Sequence, residues 1–231
     1  MIQEGLRRID RIQYRLTPYD YVLSEAWHYT QKNNTNVDGS NNMVYYPEWR
    51  RFNQCFISSG CAFGNKLIDW QIKRGSVYKA SGRFDEKAYL MGVGEYKSND
   101  RFENNKRFFW ENHRKYLNIN LAAAFPDSNP IPKVDYSKIG IDSINKLAVA
   151  VAFGRQPMFG IHLGENGGHV LTAIGYRVNA RDQIIGLWVS DPAGIYMEGY
   201  NHPYDGFMSH LPEKVFKDIF RKQTNMIDLV L

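Results

Sequence analysis

Two cysteines stand in this chain, Cys55 and Cys61, and well downstream of them come His169, directly after a Gly167-Gly168 pair, and Asp191, at the end of an apolar run. These residue types can together perform nucleophilic chemistry. A cysteine attacks as the thiolate, a form favoured at a helix N-terminus, where unpaired N–H groups and the helix dipole welcome negative charge. It needs an imidazole within hydrogen-bond reach, and that imidazole needs a third group to fix its tautomer. Cys55 or Cys61, His169 and Asp191 supply these parts, and the chemistry they predict is acyl transfer through a thioester. A metal would need more ligands than two thiols, and no second cysteine pair or close histidine pair follows, so zinc is not expected. A disulfide between residues 55 and 61 would close only a short loop and stabilise little.

For these groups to meet, three elements must form. The first is a helix beginning at the cysteine segment. Phe56, Gly60, Phe63, Leu67 and Trp70 recur in a 4-3-4-3 rhythm and share one helical face. Ser58 and Ser59 suit early-helix or capping positions, and Arg74-Gly75-Ser76 ends the pattern. The other two are strands. Met158 to Leu163, His169 to Tyr176 and Ile184 to Val189 are apolar runs joined by short Gly- or Asn-bearing turns, which predicts an antiparallel sheet. His169 then begins the middle strand, and Asp191 ends its neighbour. Adjacent strands lie ~4.8 Å apart, close enough for a carboxylate to reach an imidazole.

Elsewhere, residues 1–30 are polar and aromatic with weak helical spacing, and residues 31–42 are rich in turn formers. Residues 83–125 read as largely helical, closed by the break Pro126 to Pro130. Ile141 to Phe153 is an amphipathic helix, and Leu211 to Phe216 opens a last short one. Helices first and a sheet second make an α+β layout.

At these residues the chain resembles a known family. Cys55-Phe56-Ile57-Ser58-Ser59, preceded by Asn53-Gln54, is similar to the N-Q-C-G-P-T-S motif of C39-like cysteine peptidases. Gly167-Gly168-His169-Val170-Leu171-Thr172-Ala173-Ile174-Gly175-Tyr176 resembles their G-H-x-V-x-V-x-G-Y strand, and Val189-Ser190-Asp191-Pro192-Ala193-Gly194 their V-N-D-P-x-G turn. The resemblance spans residues 44–220. It implies a papain-like fold, a helical half packed on a small antiparallel sheet, over residues 44–231, with a helical insertion at about 75–130. Residues 1–43 would be an N-terminal extension, partly flexible.

The resemblance also implies a Cys-His-Asp triad of Cys55, His169 and Asp191, no cofactor, and hydrolysis of an amide bond in a protein, a peptide or a peptidoglycan stem. A second register keeps Cys61 open as the nucleophile. Asn53-Gln54 followed by Ser59-Gly60-Cys61-Ala62-Phe63 is similar to papain's N-Q-G-x-C-G-S-C-W-A-F, one residue longer and without the tryptophan, and there Gln54 would be the oxyanion-hole side chain. If Cys55 attacks, its own backbone N–H and another side chain would fill that role. Phe56-Ile57 in place of Gly-Pro keeps a non-enzymatic reading beside the hydrolase: a papain-like binding or structural module, such as a virion component or an inhibitor of a host protein. Acyl transfer by the same triad is a third reading. Similar degenerate cysteine motifs are frequent in bacteriophage proteins, which suggests a phage origin.

His162 lies on the strand before His169 without a motif of its own, and His28, His113, His202 and His210 likewise lack one. Tyr200 to Tyr204, with Asn201 and His202, reads by default as a plain surface loop, with a loop near the cleft as the alternative. The composition, 43% hydrophobic and 23% charged over 231 residues, is that of a globular protein able to bury a large core. The net charge of +5 favours anionic partners such as cell-wall polymer. Lys106-Arg107, with Arg101, Arg114 and Lys115, is interspersed with acids and reads as a solvated face, not a specific nucleic-acid site. No apolar stretch reaches the ~20 residues of a membrane span. The start, Met1-Ile2-Gln3-Glu4-Gly5, is not of signal-peptide type, so synthesis in a cytoplasm is expected, with action in the virion or the host cytoplasm.

Overall fold

The structure is a computed structural model that describes residues 13–17, 19–29, 55–79, 82–93, 110–164, 167–198, 200 and 206–230. Its chain order is β1 (Gln13–Thr17), β2 (Asp20–Leu23), α1 (Cys55–Lys73), α2 (Glu86–Gly92), α3 (Trp110–Ala124), β3 (Lys133–Ile139), α4 (Asn145–Ala152), β4 (Met158–His162), β5 (Gly168–Val178), β6 (Ile184–Ser190), β7 (Ser209–Pro212), α5 (Phe216–Ile219) and β8 (Thr224–Val230).

The antiparallel sheet is larger than the three strands read from the sequence. Among the described residues eight strands join, in the order β1-β2-β5-β4-β8-β3, with β6 on β5 and β7 on β6. The five strands not foreseen are short, partly polar, or both. Helical spacing was expected over residues 1–30, but Asp20 to Val22 pair with Arg177 to Gly175 of β5, so that part of the N-terminal segment is sheet. Leu211 and Pro212 close β7 instead of starting a helix, and the helical turns begin at Glu213. Four residues carry too little periodicity to separate the two states.

β5 is the organising strand. Its first half pairs with β4 and its second half with β2, while β6 runs along its other side. His169 to Tyr176 are all buried, the condition that a near-continuous apolar strand needs on both faces. On one side lies a core of α1, α2 and α3 against Val170, Met158, Ile227 and Val134. On the other, Leu147 and Val151 of α4 and Phe216 and Ile219 of α5 pack on Phe159, Leu171 and Ala173.

α1 sits inside the first core with fifteen of its nineteen residues buried, Ser58, Ser59, Asn65 and Lys66 among them. It stops where Gly75 takes φ 88°. Gly75 N then donates to Ile72 O and Ser76 N to Gln71 O, which satisfies two of the helix's last carbonyls. Residues 24–29 cross α1 as a strap. The Gln156 amide accepts from Trp27 N at 2.9 Å and donates to Trp27 O at 2.7 Å. Trp27 Nε1 donates to Asp69 at 2.6 Å, and Lys66 Nζ donates to Glu25 O. α2 and α3, from the segment read as an insertion, pack on α1.

Candidate active site

Cys55 is the first described residue of α1, and negative charge on its thiol is favoured at that end of the helix dipole. The serines behind it do not cap the helix. Ser59 Oγ donates to Val170 O at 2.9 Å, tying the first turn of α1 to β5 beside His169. Ser58 Oγ donates to Glu86 of α2. The two hydroxyls hold the start of α1 between sheet and helix layer.

His169 receives its partners from both sides. Its Nε2 donates to Asp191 Oδ1 at 2.7 Å, and Cys55 stands within hydrogen-bond reach of the ring. With Nε2 committed to the carboxylate, Nδ1 is the nitrogen left for sulfur. The strand register explains the meeting of the two acidic and basic groups. Thr172 pairs with Ser190, so one step further places Asp191 beside Leu171, two residues from His169 along the same face of the pleat. The ring is 5% exposed and the carboxylate 0%. Burial disfavours the imidazolium, but the Asp191 charge and hydrogen bond, helped by Cys55, outweigh it and raise His169 to about 10.

Asp191 is held through its backbone N–H and its Oδ1. Its N donates to Gly206 O at 2.9 Å, and its Oδ1 also accepts from Ala193 N at 2.9 Å. The chain between Asp191 and Gly206 therefore forms a loop closed at its neck. Gly206 has to be a glycine: a Cβ there would stand 1.9 Å from Asp191 O and 2.6 Å from Gly194 O, both backbone atoms. Tyr200, from within the loop, sets its ring edge-on to His169, with centroids 5.6 Å apart at 76°. Its hydroxyl lies by the Asp191 carboxylate, and burial followed by that negative charge pushes the phenol well above its usual range. Tyr196 supports Tyr200 from behind at 6.1 Å.

Of the two cysteines, the geometry brings Cys55 and not Cys61 to the imidazole. Six residues further along α1, Cys61 is turned ~120° away and lies ~9 Å along the axis. It is 0% exposed, in the core with Tyr89 and Leu117. Burial, then the negative charges of Glu86 and Asp85, push its thiol well up, so it stays protonated. Gln54, the oxyanion-hole candidate, lies outside the described residues, as does His202. His162 stands at the end of β4 opposite Gly168 and takes no part in the pair. His113 is stacked on Phe56 at 4.6 Å, and His210 lies against Trp188 at 4.7 Å.

The sequence offered Tyr200 only as part of a loop and gave it no role at the site, since a tyrosine in a polar loop has no specific signal of its own. Sequence reasoning also missed Gly206 and His28, whose Nδ1 lies 2.7 Å from Ser190 Oγ. Among the described residues no group of three or more His, Cys, Asp or Glu side chains is arranged to hold a metal, and no helix is long and apolar enough to cross a membrane.

No family model matches the chain and no curated protein matches it. Its likeness is to solved structures. UfSP from C. elegans superposes with a TM-score of 0.51 at 12% identity, over 98% of this chain and 36% of that one, so the chain spans about a third of UfSP. The bromelain protease from Ananas comosus, in complex with the E64 inhibitor, gives 0.48 at 12% identity over 93% of this chain and 100% of that one. A C39-like peptidase from Bacillus anthracis gives 0.39 at 13% identity, over 90% and 97%. The last two fall short of a TM-score of 0.5 and add no weight to the first. The mixed helical and antiparallel arrangement is a papain-like cysteine protease fold.

Proposed function

We propose that this papain-like fold serves a cysteine hydrolase that cleaves an amide bond in a protein or peptide, with Cys55 as nucleophile, His169 as acid and base, and Asp191 as the group that orients His169. The observation that carries the reading is the imidazole held between a buried carboxylate 2.7 Å away and a thiol at a helix N-terminus. A buried ion pair is often no more stabilising than apolar side chains filling the same space.

The thiolate of Cys55 attacks the carbonyl carbon, and the C–O π pair moves onto oxygen. The Cys55 N–H, at the start of α1, would be one donor to that oxyanion. As the tetrahedral intermediate collapses, the C–N bond breaks and His169 Nδ1 gives its proton to the departing amine, leaving a thioester on Cys55. Neutral His169 then takes a proton from water, whose oxygen attacks the thioester. The acid product leaves, and the sulfur and imidazole return to their starting state. Throughout, Asp191 accepts from Nε2 and keeps Nδ1 aimed at sulfur. Tyr200 keeps water from the Nε2–Asp191 bond, where competition for the carboxylate would free the ring.

Iodoacetamide labelling followed by peptide mapping tests the assignment. Cys55 should label rapidly below pH 7 and Cys61 hardly at all, and His169→Gln should abolish the fast phase. Equal, slow labelling of both thiols would remove the basis for an enzyme and favour a binding module. Zymography against casein and against cell wall then separates a protein substrate from a peptidoglycan stem; the net charge of +5 favours the anionic polymer.

A further inference from the structure

The mechanism uses Asp191 and Tyr200, both carried by the loop between residues 191 and 206, and the neck of that loop is clasped by a residue from a distant part of the chain. His28 belongs to the strap that crosses α1, 163 positions before Asp191 in sequence. Its Nδ1 lies 2.7 Å from the Oγ of Ser190, the residue directly before Asp191. Its ring stands 5.7 Å from the ring of Phe207, the residue directly after Gly206. Ser190 and Phe207 flank the Asp191 N to Gly206 O hydrogen bond that closes the loop. One side chain therefore meets the end of β6 and the turn before β7, on both sides of that hydrogen bond.

The strap that presents His28 is itself fixed. Trp27, the preceding residue, has both its backbone N–H and its carbonyl bonded to the buried Gln156 amide. Gln156 Nε2 also donates to Thr172 Oγ1 at 2.8 Å, and Thr172 is the β5 partner of Ser190. Tyr29, the following residue, donates to Phe84 O at 3.1 Å and accepts from Asn65 at 2.8 Å. Ser190 is buried, and its hydroxyl is engaged by His28. A hydrogen bond between a rigid strap and the residue next to a catalytic carboxylate limits how far that carboxylate can drift, and misplacement by even ~1 Å is costly in an active site.

We propose that His28 is a positioning residue: by holding Ser190 and Phe207 at the neck of the 191–206 loop, it fixes Asp191 on His169 and Tyr200 over their hydrogen bond. This rests on the reading of Cys55, His169 and Asp191 as the working triad. The N-terminal segment then acts as a part of the site and not as an appendage to it.

The test reads the hydrogen bond and the thiol separately in the full chain. The first readout is solvent exchange of the His169 Nε2 proton by NMR, assigned by its loss in His169→Gln. The second is the iodoacetamide rate at Cys55 between pH 5 and 9. His28→Ala should speed proton exchange roughly fivefold, the factor set by one lost hydrogen bond, and slow alkylation at pH 6 by a similar factor. His28→Asn, whose amide can stand where Nδ1 stood, should return both to within about twofold of the wild type. Ser190→Ala deletes one oxygen and keeps the ring, and should reproduce the His28→Ala changes. A wild-type exchange rate in Ser190→Ala overturns the proposal even if His28→Ala does not fold. Should exchange respond to these variants while wild-type Cys55 reacts like a free thiol, the hydrolase reading falls and the positioning role stands. Fast wild-type alkylation with unresponsive exchange does the reverse: the hydrolase reading stands and the positioning role falls.

Discussion

Replacing Asp191 by Asn changes one atom type at the centre of the site and keeps its shape. The raised His169 value of about 10, against an ordinary 6.5, corresponds to about 5 kcal/mol in favour of the charged ring. Burial acts the other way, so that preference comes from the carboxylate, with a smaller part from Cys55. Without the Asp191 charge, burial is left to dominate and the ring should be neutral at pH 6. A thiol without an imidazolium partner follows the ordinary profile near 8.5, for which only ~0.3% is thiolate at pH 6. Alkylation of Cys55 in Asp191→Asn should therefore fall roughly 100-fold at pH 6, and the difference from wild type should close above about pH 9. Stopped-flow alkylation over pH 5–10, with circular dichroism to show that the variant is folded, makes the measurement. If the variant keeps the acid limb within about threefold of wild type, the carboxylate does not hold the imidazolium and the electrostatic argument fails.

Other outcomes follow from neighbouring parts of the molecule. Cys61→Ser should leave labelling of Cys55 intact but lower stability by about 1–3 kcal/mol, because a hydroxyl would be buried among apolar side chains; urea unfolding reads this. Lys66 is lowered to about 8, by burial first and then by the charge of Lys73. Since the unfolded chain keeps that proton to about 10.4, stability should rise between pH 8 and 10, by up to about 3 kcal/mol, and Lys66→Met should lose this rise. At the β3 edge of the sheet, Val134 N donates to Asn118 Oδ1 at 2.7 Å and Asn118 Nδ2 donates to Val134 O at 2.9 Å, so a side chain stands where another strand would pair. Asn118→Ala should cost about 1–2 kcal/mol and make the chain associate with rising concentration in sedimentation velocity.

The candidate groups were legible in the linear sequence because they lie in short patterns. Cys55 opens a long helix with an apolar face, His169 follows a glycine turn into a strand, and Asp191 stands at a strand's end before proline. Each of these is a local signal, fixed by residues within a few positions. The choice between Cys55 and Cys61 was not local. Both lie on α1, and only the packing of its first turn against Val170, through Ser59, turns the first sulfur to the ring and the second into the core. The extent of the sheet was hidden for a related reason. β2, β7 and β8 mix polar residues with short apolar stretches, and their state is set by the strand they pair with rather than by their own periodicity.

What the sequence determined alone is the set of candidate groups, their order, and the helix and two strands that carry them. What only the folded chain decided is which sulfur meets the imidazole, that Tyr200 covers it, and that His28 reaches the residue beside Asp191. Those contacts join positions up to 162 residues apart. No spacing rule reaches that far, because they arise when the strap, α1 and β6 pack together, and the free energy of that packing belongs to all three at once.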